Sequence, residues 1–222
     1  MSPPRRLVFV DVDETLIRAK SLFDFLEFFF IGRYGTDGAK HARATRERLA
    51  ALQAAGASRG DANQAYYRAW RGQPASDVAE WGARWFDERR GSGDFYLAGT
   101  RVALSRHQEE GAAVVLVSGS FAAVLDPIAA DVGARHVCGT HPEVRDGLHT
   151  GEIDGAPVIG EGKRAAVRDL LRGYPHIRAE DCYGYGDHLS DLPMLTEVGY
   201  PVVVGHSPEL LAALPGAGIL PQ

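Results

Sequence analysis

The chain has 222 residues, of which 45% are hydrophobic, and it carries a formal net charge of -5 with a pI near 5.9. This size suits one large domain, or a core with a smaller insert. The acidic balance, without any basic stripe, argues against nucleic acid or an anionic membrane as the main partner. No apolar segment reaches bilayer length and no signal peptide is indicated. We expect a cytoplasmic protein that binds a small ligand, and the sequence indicates no oligomeric state.

Five short segments rich in Val, Ile, Leu and aromatic residues predict buried strands. In chain order they are RLVFVDV, AAVVLVSGS, ARHVCG, DCYGYGD and YPVVVG. Amphipathic stretches between most of them, such as 121–132, 163–172 and 190–198, predict helices. This alternation indicates an α/β, Rossmann-like three-layer core with helices on both faces of a mostly parallel sheet. Cys138 and Cys182 fall in predicted strands and lack the spacing of a zinc site or a disulfide framework.

A long, almost wholly helical insert separates the first predicted strand from the second. Its helical patterns run from about 21 to 90, which is far too long for one crossover between parallel strands. We therefore expect a core made of residues 1–17 and 96–222, and a small all-helical cap over the strand ends made of residues 18–95. Aromatic residues recur in the insert at helical spacings and are predicted to pack inside it. Further along, glycines around Pro157 predict a short hairpin followed by a loop.

Two carboxylates stand where the first predicted strand ends, at Asp11 and Asp13. Side chains at i and i+2 on a strand point the same way, so both can face one site if the extended geometry continues. Burial and mutual repulsion make such a pair costly unless a cation or a proton accompanies it. An aspartate pair that stabilises a turn is the alternative explanation, and these two residues alone do not decide between the two.

The fourth predicted strand adds two acids in YGYGDHLSDLPML, where Asp187 follows the strand and Asp191 lies four residues further on. Because ligands of such sheets bind at the carboxyl ends of the strands, Asp187 is expected to approach Asp11. Carboxylate oxygens grouped in this way form a hard site suited to Mg²⁺. The sequence therefore predicts a magnesium site at this edge of the sheet.

Groups that favour an anion are predicted at the same edge. The second strand ends in VSGS, so Ser118 and Gly119 offer a hydroxyl and backbone N–H groups just before a helix. Lys163, in GEGKRAAVRDLL, lies near a helix start, where a cation is disfavoured by about 0.3–1 kcal/mol unless an anion offsets it. Helix capping by Ser120 or Thr15, and a lysine that points to solvent, are the alternatives. Taken together, these groups fit a phosphoryl group and its Mg²⁺.

In this order the motifs resemble those of the haloacid dehalogenase-like hydrolases, and the resemblance covers essentially the whole chain. The motif residues are Asp11, Asp13 and Thr15 in DVDET, Ser118 in VSGS, Lys163, and Asp187 and Asp191 in GDHLSDLPML. The helical insert, TGEIDG and GEGK are similar to the phosphoserine phosphatase-like branch, subfamily IB. Related sequences have Asn-Pro where this chain has Gly205-His206, and Gly-Asp-Ser where it has Gly186-Asp187-His188, so two loops depart from the pattern.

The resemblance implies a Mg²⁺-dependent phosphatase that hydrolyses a small phosphomonoester through an aspartyl-phosphate intermediate. In that mechanism Asp11 is the nucleophile, and Asp13 is the general acid and then the general base. Mg²⁺ would be held by Asp11, the backbone carbonyl of Asp13 and Asp187, with Asp191 as a further ligand or as an orienting group. The phosphate would be held by Ser118, Gly119, Lys163 and Thr15.

One position after the first motif bears on the choice of substrate. Phosphoserine phosphatases carry an acid after the first motif that binds the substrate's ammonium, and the matching position here is Lys20. If Lys20 points inward, phosphoserine is disfavoured and an anionic or hydroxyl-bearing group is expected beyond the phosphate; a solvent-facing lysine would select nothing. His188 and Ser190 are further candidates for substrate selection. The sequence does not rank the cap arginines Arg43, Arg46, Arg68 and Arg71.

Other functions fit parts of the pattern. A phosphotransferase or mutase would use the same intermediate and the same Asp13, but it would release no inorganic phosphate without an added acceptor. A receiver-like phospho-acceptor domain also surrounds Mg²⁺ with an aspartate, a hydroxyl and a lysine, but its fold is shorter and has no cap. A dehalogenase would make little use of Asp13 or of a hard metal site.

Overall fold

The computed structural model describes residues 3–222 and shows a three-layer α/β arrangement. The strands are β1 (Leu7–Val10), β2 (Ala113–Ser118), β3 (His136–Gly139), β4 (His141–Arg145), β5 (Leu148–Asp154), β6 (Tyr183–Gly186), β7 (Tyr200–Val204) and β8 (Gly218–Leu220). The helices are α1 (Ser21–Ala54), α2 (Arg59–Tyr67), α3 (Ala75–Gly91), α4 (Ala98–Glu109), α5 (Ala122–Val132), α6 (Glu161–Arg172), α7 (Leu192–Leu195) and α8 (Pro208–Ala213). Within residues 3–222, no helix has both the length and the apolarity needed to span a membrane.

Six parallel strands form the main sheet, in the order β3-β2-β1-β6-β7-β8. Val10 at the end of β1 pairs with Leu116 of β2 on one side and with Tyr185 of β6 on the other. Every residue of β1 and β2 is buried, which explains their uninterrupted apolar sequences. The predicted fold class is confirmed. Because the strand order reverses at β1, its carboxyl end opens into the crevice where ligands of such sheets bind.

Two elements differ from the sequence prediction. β8 is a sixth strand at the edge of the sheet, and its three residues are too few to produce a recognisable apolar pattern. The hairpin begins earlier than predicted, because β4 and the turn lie before the segment around Pro157 and only β5 reaches into it. Their turn is Asp146-Gly147, where both residues have positive φ. An Asp-Gly pair between two strands is a strong sequence signal for a hairpin turn, and it predicts the turn better than the glycines later in the chain do.

The insert folds into α1, α2 and α3, with a 3-10 turn at Arg68–Trp70. α1 bends at Gly35, whose φ of 57° and ψ of -128° are not helical, so this glycine divides two helical segments. The predicted aromatic packing is present: the rings of Phe25 and Trp70 are stacked with their centroids 5.3 Å apart. Phe121, which follows β2, contacts both rings. Cap and core therefore share one apolar cluster.

Backbone hydrogen bonds attach the insert to the core on two sides. Where the chain leaves the core and returns to it, Ile17 and Tyr96 form an antiparallel bridge, beside the predicted boundaries at residues 18 and 95. We propose that the core and the cap divide at this bridge. On the other side, the N–H of His149 in β5 donates to the carbonyl of Gln73 at 2.9 Å, and the N–H of Gly72 donates to the carbonyl of His149 at 2.8 Å. The insert is thereby held over the strand ends.

The contact between α3 and α5 depends on a glycine. A Cβ atom at Gly82 would lie 1.9 Å from the carbonyl oxygen of Ala123. We expect Gly82→Ala to displace α3 and to lower the free energy of unfolding by about 1–3 kcal/mol, as overpacking does. Gly91→Ala is the matched control, because Gly91 ends the same helix in open space and should tolerate alanine. Chemical denaturation measures both variants, and equal stabilities would contradict the close contact.

Candidate active site

A cavity of about 400 Å³ lies between the insert and the carboxyl ends of β1, β2 and β6. Its lining includes most of the residues predicted from the sequence, namely Asp11, Asp13, Lys20, Ser118, Gly119, Lys163, Asp187, His188, Ser190 and Asp191. These residues are distant in the sequence, and they meet because parallel strands end at one edge of the sheet. Thr15 is fully buried and is not part of the lining.

The Lys163 ammonium lies at the centre of the acidic residues. Its Nζ donates to Oδ1 of Asp11 and, at 2.6 Å, to Oδ1 of Asp191. Burial lowers the pKa of Lys163, but the two carboxylates outweigh burial and raise this pKa above its ordinary value. Lys163 is therefore charged, and the alternative of a lysine that points to solvent is excluded by its burial.

Asp191 accepts hydrogen bonds at both of its oxygens. Oδ1 binds Lys163, and Oδ2 accepts the backbone N–H groups of Asp187 and His188, both at 3.1 Å. The close approach requires the glycine at the end of β6, since a Cβ atom at Gly186 would lie 2.6 Å from the Cβ of Asp191. Through these contacts Asp191 orients both Lys163 and the loop after β6.

Asp187 is oriented by a threonine of the first motif. The hydroxyl of Thr15 donates to Oδ1 of Asp187 at 2.9 Å, so Thr15 contacts a carboxylate and not the cavity in which a phosphate would bind. Burial raises the pKa of Asp187, and repulsion from Asp191 adds to the effect. Burial likewise raises the pKa of Asp11 well above its usual range, although the Lys163 ammonium opposes the shift.

The acidic cluster fits a divalent cation. Asp11, Asp187 and Asp191 each offer a carboxylate oxygen within 4.8 Å of the others. Three carboxylates in this small volume face one ammonium, and both burial and repulsion oppose the negative charge that remains. A bound cation would balance that charge, and Mg²⁺ prefers oxygen ligands of this kind.

Asp13 has one oxygen that is held and one that is free. Oδ2 accepts the N–H of Ser21 at 3.0 Å, whereas Oδ1 is buried and has no hydrogen-bond partner among residues 3–222. Burial raises the pKa of Asp13 to about 6, against the opposing effect of the Ser21 hydrogen bonds. Glu14 then turns the chain with a φ of 59°. A carboxyl group with a pKa near neutrality is suited to donate and accept a proton.

The turn after β2 is held from both sides. Within the turn, the N–H of Ser120 donates to Oγ of Ser118 at 3.1 Å. From α2, the Asn63 amide and the Tyr67 hydroxyl donate to the carbonyl oxygen of Gly119 at 2.9 and 2.8 Å. The insert therefore helps to fix the peptide group that follows Gly119. Asn63 and Tyr67 were not predicted from the sequence, although their i, i+4 spacing places them on one face of a helix.

Polar groups surround the mouth of the cavity. The Lys20 side chain is 59% exposed, with its Nζ 3.3 Å from Oε2 of Glu14. His188 accepts the N–H of Ser190 at its Nδ1, 3.0 Å away, and burial together with the charge of Arg59 lowers the His188 pKa. Arg59 also lines the cavity and was missed by the sequence analysis. The four arginines that the sequence left unranked, Arg43, Arg46, Arg68 and Arg71, do not line it.

The chain is an α/β protein with a helical insert, and three carboxylates meet at the ends of its central strands. The sequence matches the haloacid dehalogenase-like hydrolase family over residues 8–196, and the chain belongs to this family. The predicted resemblance is confirmed.

Individual relatives extend the comparison. A Mycobacterium tuberculosis protein named as a probable phosphatase is 43% identical over 103 residues, which are 46% of this chain and 34% of that protein. The M. tuberculosis phosphoserine phosphatase SerB1 is 28% identical over 200 residues, which are 88% of this chain and 63% of that protein. A Bordetella pertussis crystal structure of unknown function is 26% identical, with a TM-score of 0.83 and 98% of both chains covered. The matches span less than two thirds of either M. tuberculosis protein.

The contribution of the hydrogen bond from Tyr67 to Gly119 can be measured with a single substitution. Tyr67→Phe keeps the ring and removes one of the two side-chain donors to the partly buried carbonyl of Gly119, so we expect the free energy of unfolding to fall by about 1 kcal/mol. Tyr34→Phe is the matched control, because the Tyr34 hydroxyl binds Gln73 at an exposed position. Thermal unfolding compares the two variants. A loss no larger for Tyr67→Phe than for Tyr34→Phe would contradict a stabilising contact at Gly119.

Proposed function

We propose that this protein is a Mg²⁺-dependent phosphatase that hydrolyses a small phosphomonoester through a phosphorylated Asp11. The observation that carries the proposal is the buried Asp11–Lys163 ion pair beside Asp13, at the carboxyl end of the central strand. The family match supports hydrolysis, and the names of the two M. tuberculosis relatives support a phosphatase. The cavity of about 400 Å³ suits a small metabolite.

In the first step, a carboxylate oxygen of Asp11 attacks the phosphorus atom of the substrate. A bond forms between this oxygen and phosphorus, while the bond from phosphorus to the leaving oxygen breaks. Asp13 gives its proton to the leaving oxygen, and its raised pKa keeps that proton available. Lys163 and the N–H groups that follow Ser118 stabilise the charge on the phosphate oxygens. Positioning and charge stabilisation of this kind supply most of the catalysis of phosphoryl transfer.

In the second step, water removes the phosphoryl group from Asp11. Asp13, now a carboxylate, accepts a proton from water as the water oxygen bonds to phosphorus. The bond between Asp11 and phosphorus breaks, so that inorganic phosphate leaves and both aspartates return to their initial states. Mg²⁺, held by Asp11, Asp187 and the backbone carbonyl of Asp13, would supply positive charge to the phosphate oxygens. Asp191 and Thr15 would orient the groups around it.

Replacement of the nucleophile tests this mechanism. Asp11→Asn should lower turnover by about a thousandfold or more, because an amide is a poor nucleophile. The assay measures inorganic phosphate released from a panel of phosphomonoesters without any added acceptor. Asp37→Asn, at an exposed position of α1, is the matched control and should retain activity. Near-normal activity of Asp11→Asn would overturn the assignment, and a phosphorylated enzyme that releases phosphate only to an added alcohol would favour a phosphotransferase.

Removal of divalent cations tests the proposed cofactor. EDTA should abolish phosphate release, and added Mg²⁺ should restore it, because the clustered carboxylates need a counter-charge when the phosphate binds. Asp187→Asn should raise the Mg²⁺ concentration that gives half-maximal activity by about tenfold or more. Titration of activity with Mg²⁺ measures this shift, again with Asp37→Asn as the control. Full activity in EDTA would contradict a role for the metal.

A further inference from the structure

The turn that follows Asp13 has an uncommon backbone conformation. Glu14 adopts a φ of 59°, a left-handed conformation that residues other than glycine rarely keep unless their surroundings impose it. The next residue, Thr15, donates its hydroxyl to Asp187 at 2.9 Å. The conformation of Glu14 therefore fixes the position of Asp13 relative to Thr15.

A residue that follows the edge strand holds this turn. Nε2 of Gln222 donates to the carbonyl oxygen of Glu14 at 2.8 Å. Among residues 3–222, no other group donates a hydrogen bond to this carbonyl. Gln222 lies two residues beyond β8 and Glu14 lies four residues beyond β1, and β6 and β7 separate these two strands in the sheet. The hydrogen bond therefore connects the edge of the sheet with the turn after its central strand.

Gly205 makes room for the Gln222 side chain. Gly205 follows β7 with a φ of 76°, and its N–H donates to the carbonyl of Leu220 at 2.8 Å. A Cβ atom at Gly205 would lie 3.0 Å from Cδ of Gln222. Related sequences carry asparagine at this position, and its Cβ atom would crowd the amide of Gln222. The departure at Gly205 therefore accompanies a contact that reaches the first motif.

We propose that Gln222 is a positioning residue for phosphoryl transfer: its amide fixes the turn at Glu14 and so holds the Asp13 carboxyl group where it can protonate the leaving oxygen. The inference rests on the proposed phosphatase function. Asp13 is otherwise held through one carboxylate oxygen, by the N–H of Ser21. Gln222 does not line the cavity, so it would act through Glu14 and not on the substrate.

Esters with different leaving groups test this role. An alkoxide needs a proton as it leaves and p-nitrophenolate does not, so the first step requires Asp13 as an acid only for an alkyl ester. Gln222→Met keeps the length of the side chain and removes the donor. We expect it to lower kcat/KM for the best alkyl ester of the phosphomonoester panel about threefold to tenfold, as loss of one hydrogen bond would. The value for p-nitrophenyl phosphate should change by less than about twofold.

Gly205→Ala tests the same contact from the other side. The added methyl group and the positive φ should displace the Gln222 amide, so we expect a similar loss for the alkyl ester. The double variant Gly205→Ala/Gln222→Met should lose no more than the larger of the two single losses, because both changes act on one hydrogen bond. Additive losses would overturn the link between Gly205 and Gln222.

Gln108→Met is the matched control. The Gln108 amide also donates to backbone carbonyls, those of Val132 and Gly133 at 2.9 Å, and it does not line the cavity. This variant should lower the midpoint of thermal unfolding and leave kcat/KM for both esters unchanged. In Gln222→Met, no loss for either ester or an equal loss for both would overturn the inference and leave the phosphatase function standing. Release of phosphate from no ester of the panel would contradict both.

Discussion

Lys163 lies between Asp11 and Asp191 with almost no exposure to solvent, and the arrangement of the site depends on this contact. Removing a lysine from water is costly, and the cost is offset only when carboxylates with good geometry surround it. The partners come from three places: the end of β1, the first turn of α6 and the loop after β6. The ion pairs therefore require these segments to be in their native positions. Loss of one partner would leave a buried charge without compensation.

The backbone supports this network as much as the side chains do. Asp191 can bind Lys163 because the N–H groups of Asp187 and His188 hold its other oxygen. Gly186 permits the approach, since any side chain there would collide with Asp191. Thr15 holds Asp187 from the opposite direction. Asp187 and Asp191 are thus held by different donors: a threonine hydroxyl holds Asp187, whereas a lysine and two backbone N–H groups hold Asp191.

Most of the strand-end residues could be predicted because their positions follow from topology. Parallel strands end at one edge, so acids after β1 and β6, and a glycine turn after β2, must converge there. The position of Thr15 could not be predicted in this way, because the chain turns at Glu14 and directs the hydroxyl toward Asp187. Related sequences have serine at the position of His188. The His188 ring accepts the N–H of Ser190, a contact that a serine hydroxyl could also make. The acids beside it keep their hydrogen bonds.

The insert was harder to predict, because helical spacing shows which residues share a face but not which face meets the cavity. The sequence singled out four arginines that do not line the main cavity, and it missed Arg59, Asn63 and Tyr67 on α2. α2 links the turn after β2 to the mouth of the cavity: Asn63 and Tyr67 hold the carbonyl of Gly119, and Arg59 lies one to two helical turns away on the same helix. A displacement of α2 would therefore move the proposed phosphate turn and the Arg59 side of the cavity together. In the proposed function, one short helix would thus connect the mouth of the cavity with the turn that positions the phosphate.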